Sequence, residues 1–337
     1  MLSRFPCSEG ENQLQLAKYI LRRLGISLIT LFVVITATFF LMNSMPGDPF
    51  IGNKAIPKAI KENLYKKYGL DKPIGERFVL YLKNTVSGDL GMSMTYKNRK
   101  VVDIIKQSFP TSADLGIRAL IFATIAGVFL GIIAALNHNR TWDTVAMIIA
   151  ILGVSLPAFI VGALLQYGIG LQLNQLWKWI VQDEYAMLIP TTGWDNWANK
   201  LVPPFALGLS ALASIARYMR TSMLDVLNQD YIKTAKAKGL TKTQVTVRHT
   251  VRNAILPVVT ILGPMTAAVL TGSFVIELIF AIPGLGKFFI QSIGQNDYTM
   301  IMGLTIFYAT FLIFMNFVVD ILYGVIDPRI RLAKGKA

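Results

Sequence analysis

The 337-residue chain is 53% hydrophobic and only 15% charged, with 33 Lys and Arg against 19 Asp and Glu, a formal charge of +14. Soluble domains carry about 25% charged residues, so the composition argues against a soluble enzyme, and the apolar fraction excludes disorder. One cysteine, Cys7, excludes a disulfide framework or a multi-cysteine metal site, and two histidines, His138 and His249, leave little for metal or acid–base chemistry.

A hydrocarbon core of about 30 Å needs roughly 20 apolar residues of helix, and six stretches meet or approach that requirement. The first, Leu24 to Met45, holds no charge; it is too long for a signal-peptide core, and the Pro46-Gly47-Asp48-Pro49 that follows is no small-residue cleavage site. The second, Ala119 to Leu136, is also uncharged, and the third, Thr144 to Leu173, contains Pro157, which reads as a kink. The fourth, Pro203 to Ala216, is short, weak and rich in Ala, Gly and Ser; it spans only if its Ser210, Ser214 and Arg217 end faces protein or the interface. The fifth, Ala254 to Ile282, carries Pro257, Pro264 and Glu277, and the sixth, Met300 to Val319, ends near Asp320. The expected fold is an all-α polytopic membrane protein with six transmembrane helices.

The basic residues orient these spans. Arg4, Lys18, Arg22 and Arg23 precede the first, Arg140 lies between the second and third, and Arg217, Arg220, Lys233, Lys236, Lys238, Lys242, Arg248 and Arg252 lie between the fourth and fifth. Arg329, Arg331, Lys334 and Lys336 follow the sixth, whereas the opposite loops offer only Lys178, Lys200 and Lys287. The positive-inside rule therefore puts both termini in the cytoplasm, and the long basic stretch from Pro46 to about Pro110 outside, since long loops translocate largely regardless of charge. Trp177, Trp179, Trp194 and Trp197 fit an outer-leaflet aromatic belt. In such a protein the cationic surplus points to anionic membrane lipid, not to nucleic acid.

The segment from Asp225 to Pro257 is too charged to span. Asp230 is placed to cap a short helix through Lys238, and Gly239 stands where a helix needs a left-handed residue. Thr241 and Gln244 have the spacing of a capping box that opens a second helix. Two readings are open for the short helix: a basic rod on anionic lipid, or a rod docked in a protein groove. Tyr231 and Ala235 share one face, and Ala237 and Leu240 another, a small-residue ridge that favours protein docking.

This segment, Asp230-Tyr231-Ile232-Lys233-Thr234-Ala235-Lys236-Ala237-Lys238-Gly239-Leu240 followed by Arg248-His249, Arg252-Asn253-Ala254 and Leu256-Pro257, closely resembles the cytoplasmic loop of ABC-importer permease subunits of the oligopeptide, dipeptide and nickel branch. Lys233-Thr234-Ala235 replaces the general E-A-A, and the gap from Gly239 to Pro257 is longer than the general pattern; both departures are typical of that branch. Tyr19 to Arg23, Met45 to Pro49, Gly69 to Pro73, Gly88 to Gly91, Glu277 with Pro283-Gly284-Leu285-Gly286, and Asp327-Pro328-Arg329 extend the likeness, and specifically to the first of the two permease subunits. The resemblance implies a type I importer transmembrane domain. Its segments would be a cytoplasmic tail (1–19), a first helix with a long extracytoplasmic loop (20–110), a five-helix core (111–326) and a second cytoplasmic tail (327–337). It implies that Asp230, Tyr231, Thr234, Ala235, Lys236, Ala237, Lys238, Gly239 and Leu240 form a coupling helix seated on an ATPase. It further implies a homologous second permease subunit, two ABC ATPase subunits that bind ATP and Mg, and an extracytoplasmic solute-binding protein, all at a bacterial or archaeal cytoplasmic membrane. The first expected substrate is a short peptide, with nickel chelates, glutathione and other small solutes as alternatives. No cofactor is expected on this chain.

The chain shows no GxxxxGKS or GxxxxGKT loop, and Gly284-Leu285-Gly286 follows a span rather than a strand, so it reads as a turn. Polar residues in the spans are Thr36, Thr38, Asn43, Ser155, Gln166, Glu277 and Asn316. Threonines and serines there commonly bond their own helix backbone; Glu277, Ser155, Gln166 and Asn316 are the candidates for a solute pathway. An ionised carboxylate in a span costs about 2.5–3.5 kcal/mol on insertion scales, so Glu277 is either a pathway or gate residue or a cap for the helices of the outer turn. A secondary transporter would show acid–base relays or inverted repeats, and the chain offers one candidate carboxylate and no clear repeat; a membrane enzyme would show a facing pair of catalytic side chains, and the histidines and carboxylates offer none. An ion-gradient-driven secondary transporter stays the less favoured alternative, and a pathway-free scaffold is a further rival.

Overall fold

The computed structural model describes residues 9–44, 62–63, 65–66, 68–270 and 274–326. Arg4, Cys7, the Pro46 to Pro49 motif and the Asp327-Pro328-Arg329 end lie outside these residues. Eleven helices are named here in chain order: α1 Glu9–Ser44, α2 Ile74–Val86, α3 Val101–Leu136, α4 Thr141–Ser155, α5 Ala158–Val181, α6 Val202–Leu227, α7 Asp230–Ala237, α8 Lys242–Leu270, α9 Phe274–Ile279, α10 Leu285–Gly294 and α11 Tyr298–Ile326. Among the described residues the β-type pairing is one isolated bridge, Met92 to Lys100. Among the described residues five helices are long and apolar enough to cross a membrane, and six crossings result if α4 and α5 together make one. The chain forms two compact units, residues 1–105 with 291–337, and residues 106–290.

In the first unit α1 packs along α11. Helix α1 already begins at Glu9, inside the expected tail. Its buried stripe, Ile35, Phe39 and Met42, has the spacing of one helix face, while Leu28, Ile29, Phe32, Val33 and Leu41 point outward, as a lipid-facing surface requires. Arg23 pairs with Asp320 at 2.6 Å, 297 residues away in sequence, which explains the charge at the end of the sixth span. Phe39 meets Phe78 and Tyr81 of α2 with ring centroids 5.2 and 5.3 Å apart. Thr36 and Asn43 bond their own helix carbonyls, and Asn43 also accepts from Arg77.

The loop before α3 is tied to the start of α11 by Asp297, which is fully buried. Its carboxylate accepts the N–H groups of Met94 (3.1 Å), Thr95 (3.1 Å) and Met300 (3.0 Å) and the Ser93 hydroxyl. Tyr68 donates to the Ser93 carbonyl at 3.1 Å and Tyr96 to Gln291 at 2.7 Å. Burial, and then the Asp297 charge, holds both phenols above their ordinary pKa, so both remain donors.

In the second unit α6 is the central helix, packed by α4, α5 and α8. Its inward residues are small: Ala206, Gly208, Ala211, Ala213 and Ala216 are buried with Leu212, Ile215, Met219 and Met223. The stretch that hydropathy ranks weakest is thus the most enclosed span, because Ala, Gly and Ser serve contact with helices rather than with lipid. Helix α3 approaches it through Gly127-Val128-Phe129-Leu130-Gly131. A Cβ at Gly131 would stand 2.6 Å from Met219 Cβ and 2.7 Å from the Ala216 carbonyl, and one at Gly127 2.8 Å from the Leu212 carbonyl. From the facing side, a Cβ at Gly208 would stand 2.7 Å from the Ala119 carbonyl. The third expected span is not one kinked helix. Leu156, held extended before Pro157 (φ −89°, ψ 125°), separates α4 from α5, and the two axes differ by 105°. Helix α3, in turn, runs uninterrupted through Pro110, where a boundary between segments was expected.

Trp179 and Trp197 are exposed, as a membrane belt requires. Trp194 is not part of such a belt: it is buried, its indole N–H donates to Asp114 at 3.0 Å, and it closes a core with Leu115, Val202, Ile276 and Phe280.

Candidate functional site

The loop after α6 forms the arrangement that its sequence spells. Helix α7 covers Asp230 to Ala237, Lys238 closes it, and Gly239 takes φ +80°, where a side chain would be strained. The Thr241 hydroxyl accepts the Gln244 N–H at 3.3 Å while the Gln244 side chain accepts the Thr241 N–H at 3.0 Å, a complete capping box opening α8. Asp230 differs from expectation: Gln229 holds the capping position, and the Asp230 carboxylate pairs with Lys233 at 2.9 Å on the surface.

The faces of α7 also differ from the expected ridge. Ala235 is only 6% exposed; it packs with Ile232 and Val245, beside Val226 of α6 and Leu240. That contact fastens α7 to the tip of α6 and the start of α8. The surface left for a partner consists of Tyr231 (44% exposed), Thr234, Lys236, Ala237, Lys238 and Gly239. Its cationic character continues onto Arg248 and Arg252, which with Leu240, Val247, His249 and Asn253 line an open depression beside α7. Helix α8 is underwound into a wide turn over Val245–Val251, where the Thr250 hydroxyl reaches back five residues to the Val245 carbonyl at 3.2 Å.

Glu277 is 0% exposed on α9. One oxygen accepts the Gly286 N–H at 2.7 Å, the Ser112 hydroxyl lies against the carboxylate, and that hydroxyl accepts the Leu285 N–H at 2.9 Å. Glu277 therefore caps the start of α10 from within, the contact that the capping alternative requires. The glycines of Pro283-Gly284-Leu285-Gly286 make room for it. A Cβ at Gly286 would stand 2.6 Å from Phe274 Cα and 2.8 Å from the carboxylate oxygen, and one at Gly284 would overlap that same oxygen. Of the other pathway candidates, Ser155 is exposed at the end of α4, Gln166 half-buried where α5 widens over Gln166–Leu173, and Asn316 exposed on α11.

Three features escaped the sequence reading. Asp297 stands one residue before α11, where a helix-capping carboxylate is expected. The Gly127/Gly131 spacing is that of close-packed membrane helices. Arg220, counted as a loop charge, lies inside α6 and is paired with Asp143.

Comparison with known proteins agrees with this architecture. A family described as binding-protein-dependent transport system inner membrane component matches residues 127–332, and its N-terminal companion matches residues 16–116. The chain is 43% identical to a dipeptide transport system permease protein of Bacillus subtilis over 95% of this chain and 99% of that protein. It is 39% identical to a dipeptide transport system permease protein of Lactococcus lactis, over 94% of this chain and 100% of that one. It is 40% identical to an oligopeptide transport system permease protein of Haemophilus influenzae, over 93% and 99% respectively.

Proposed function

Because the chain belongs to the family of inner membrane components of binding-protein-dependent transport systems, we propose that it forms half of a peptide pathway and is moved from outside by a separate ATPase. The protein is a multi-pass permease component of an ABC importer. Short peptides are its proposed cargo, on the strength of the dipeptide and oligopeptide permeases it resembles. A homologous second permease completes the pathway, two ATPases hold ATP and Mg, and an extracytoplasmic receptor delivers the solute. Both termini and α7 face the cytoplasm, where the basic loops place them.

The observation that carries this reading is the mounting of α7. Its outer face is free and cationic, while its inner face is clamped through Ile232, Ala235 and Val245 onto α6, the most enclosed helix of its unit. A push on α7 thus reaches the bundle as a movement of α6, because packed apolar side chains do not deform continuously. Energy supply belongs to the partner; this chain contributes a handle and a path.

The test is to reconstitute the complete complex and measure ATP turnover with the receptor, with and without di- to pentapeptides. Peptide-loaded receptor should raise turnover several-fold, and the isolated chain should hydrolyse no ATP. Uptake by the isolated chain, driven by a proton gradient and indifferent to ATP, would overturn the proposal.

A further inference from the structure

The contact between α4 and α6 is made of small residues. On α4 the buried stripe is Asp143, Ala146, Ala150 and Gly153. On α6 the facing groups include Leu209 and Ala213; a Cβ at Gly153 would stand 3.1 Å from Ala213 Cβ and 3.1 Å from the Leu209 carbonyl. Such a surface lets two backbones approach closely, but it supplies few large side chains to interlock and fix how far one helix has slid along the other.

One polar contact supplies what the stripe lacks. Arg220 on α6 grips Asp143 at the first turn of α4 in a forked pair, Nε to Oδ1 at 2.6 Å and Nη2 to Oδ2 at 2.7 Å, across 77 residues of sequence. The Asp143 side chain is 5% exposed. The same carboxylate accepts the Asn139 N–H at 3.0 Å, and the His138 ring lies 3.2 Å from Arg220 Nη2, so the turn between α3 and α4 folds over the pair. A two-pronged guanidinium–carboxylate contact constrains distance and direction together, which a single point charge does not.

Its place in the chain gives this contact a consequence. Arg220 lies roughly two turns before the end of α6, and that end carries α7 through Val226. Helix α4 ends at the 105° bend into α5. We infer that the Asp143–Arg220 pair is a register pin: it holds α4 to α6 so that a displacement of α7, taken up by α6, arrives at the bent α4–α5 span instead of being lost as slip along the small-residue contact. Asp143 and Arg220 act on the pathway through the helices they join and are positioning residues. The inference rests on the functional reading above for the source of the displacement.

The experiment uses the assembled complex in lipid nanodiscs, with spin labels on exposed Val145 of α4 and exposed Tyr218 of α6, and proteoliposomes for uptake. In the parent protein the label separation should be narrow and equal in the nucleotide-free and ATP-bound states. In Asp143→Asn it should broaden or shift with ATP, and peptide imported per ATP should fall between about twofold and thirtyfold, the range of coupling changes along such networks. Arg220→Lys keeps the charge but loses the fork, should give an intermediate loss, and carries the same test if Asp143→Asn does not assemble. A parent separation that itself changes with nucleotide would overturn the pin, as would variants that keep both a narrow separation and the parental import ratio. Absence of peptide-stimulated ATP turnover in the parent would count against the functional reading alone, since the label separations test the pin without it.

Discussion

Replacing Glu277 with alanine separates a gate from a structural cap. The carboxylate is fully buried and accepts the Gly286 N–H at 2.7 Å. Truncation leaves that N–H enclosed without an acceptor and removes the support of Ser112, whose hydroxyl holds the Leu285 N–H. A buried donor left without its acceptor costs about 1–3 kcal/mol. With about 2–4 °C per kcal/mol for a unit of 150–250 residues, the melting temperature should fall by about 2–12 °C. Glu277→Gln retains an acceptor oxygen for the Gly286 N–H and should lose less. Gly286→Ala should resemble Glu277→Ala, because its Cβ would press on Phe274 Cα at 2.6 Å. The assay is thermal unfolding of the purified complex in detergent, followed by size exclusion, beside uptake per assembled complex. If Glu277→Ala melts and assembles as the parent does while uptake collapses, the capping account is refuted and the residue lines the path.

Three further outcomes follow from other contacts. Gly131→Ala should cost about 1–3 kcal/mol by overpacking against Met219, whereas Gly25→Ala, whose Cβ would meet nothing within 4 Å on α1, should stabilise by about 0.5–1 kcal/mol; thermal melts of the two variants check the contrast. Asp297→Ala should release the loop that its carboxylate ties down, read as at least about tenfold faster tryptic cleavage at Lys97, Arg99 or Lys100 and faster amide exchange at Met94 and Thr95. Ala235→Trp should disrupt the packing with Ile232 and Val245 and loosen the whole loop, while Ala237→Trp should leave the melt unchanged and abolish peptide-stimulated ATP turnover.

What was legible in the sequence was local chemistry with a stereochemical cause. Gly239 takes the left-handed conformation, Thr241 and Gln244 close their reciprocal cap, and the uncharged runs become long helices. What was not legible depends on partners distant in the chain. Hydropathy measures transfer into lipid, so it undervalued α6, whose alanines and glycines are turned toward other helices. Pro157 announced an interruption, but a proline alone does not distinguish a gentle kink from the 105° break that the extended Leu156 produces. Helical spacing placed Tyr231 and Ala235 on one face without saying which faces turn inward; the neighbours Val226 and Val245 decide that. Glu277 was noticed as a costly charge, yet only the fold brings Ser112 and Gly286 to it, and only there do the glycines of Gly284-Leu285-Gly286 acquire their reason.

The claim on which the functional account turns is that the outer face of α7 bears on a cytosolic motor. A single cysteine at the exposed Ala237, in a chain whose Cys7 is replaced by serine, tests it in inside-out and right-side-out vesicles carrying the whole complex. The account predicts cross-linking to the ATPase subunit, protected by ATP binding or altered by it, and labelling by membrane-impermeant maleimide only in inside-out vesicles once the ATPases are stripped. Labelling from the outer side, or capture of lipid acyl chains instead of the ATPase, would contradict it.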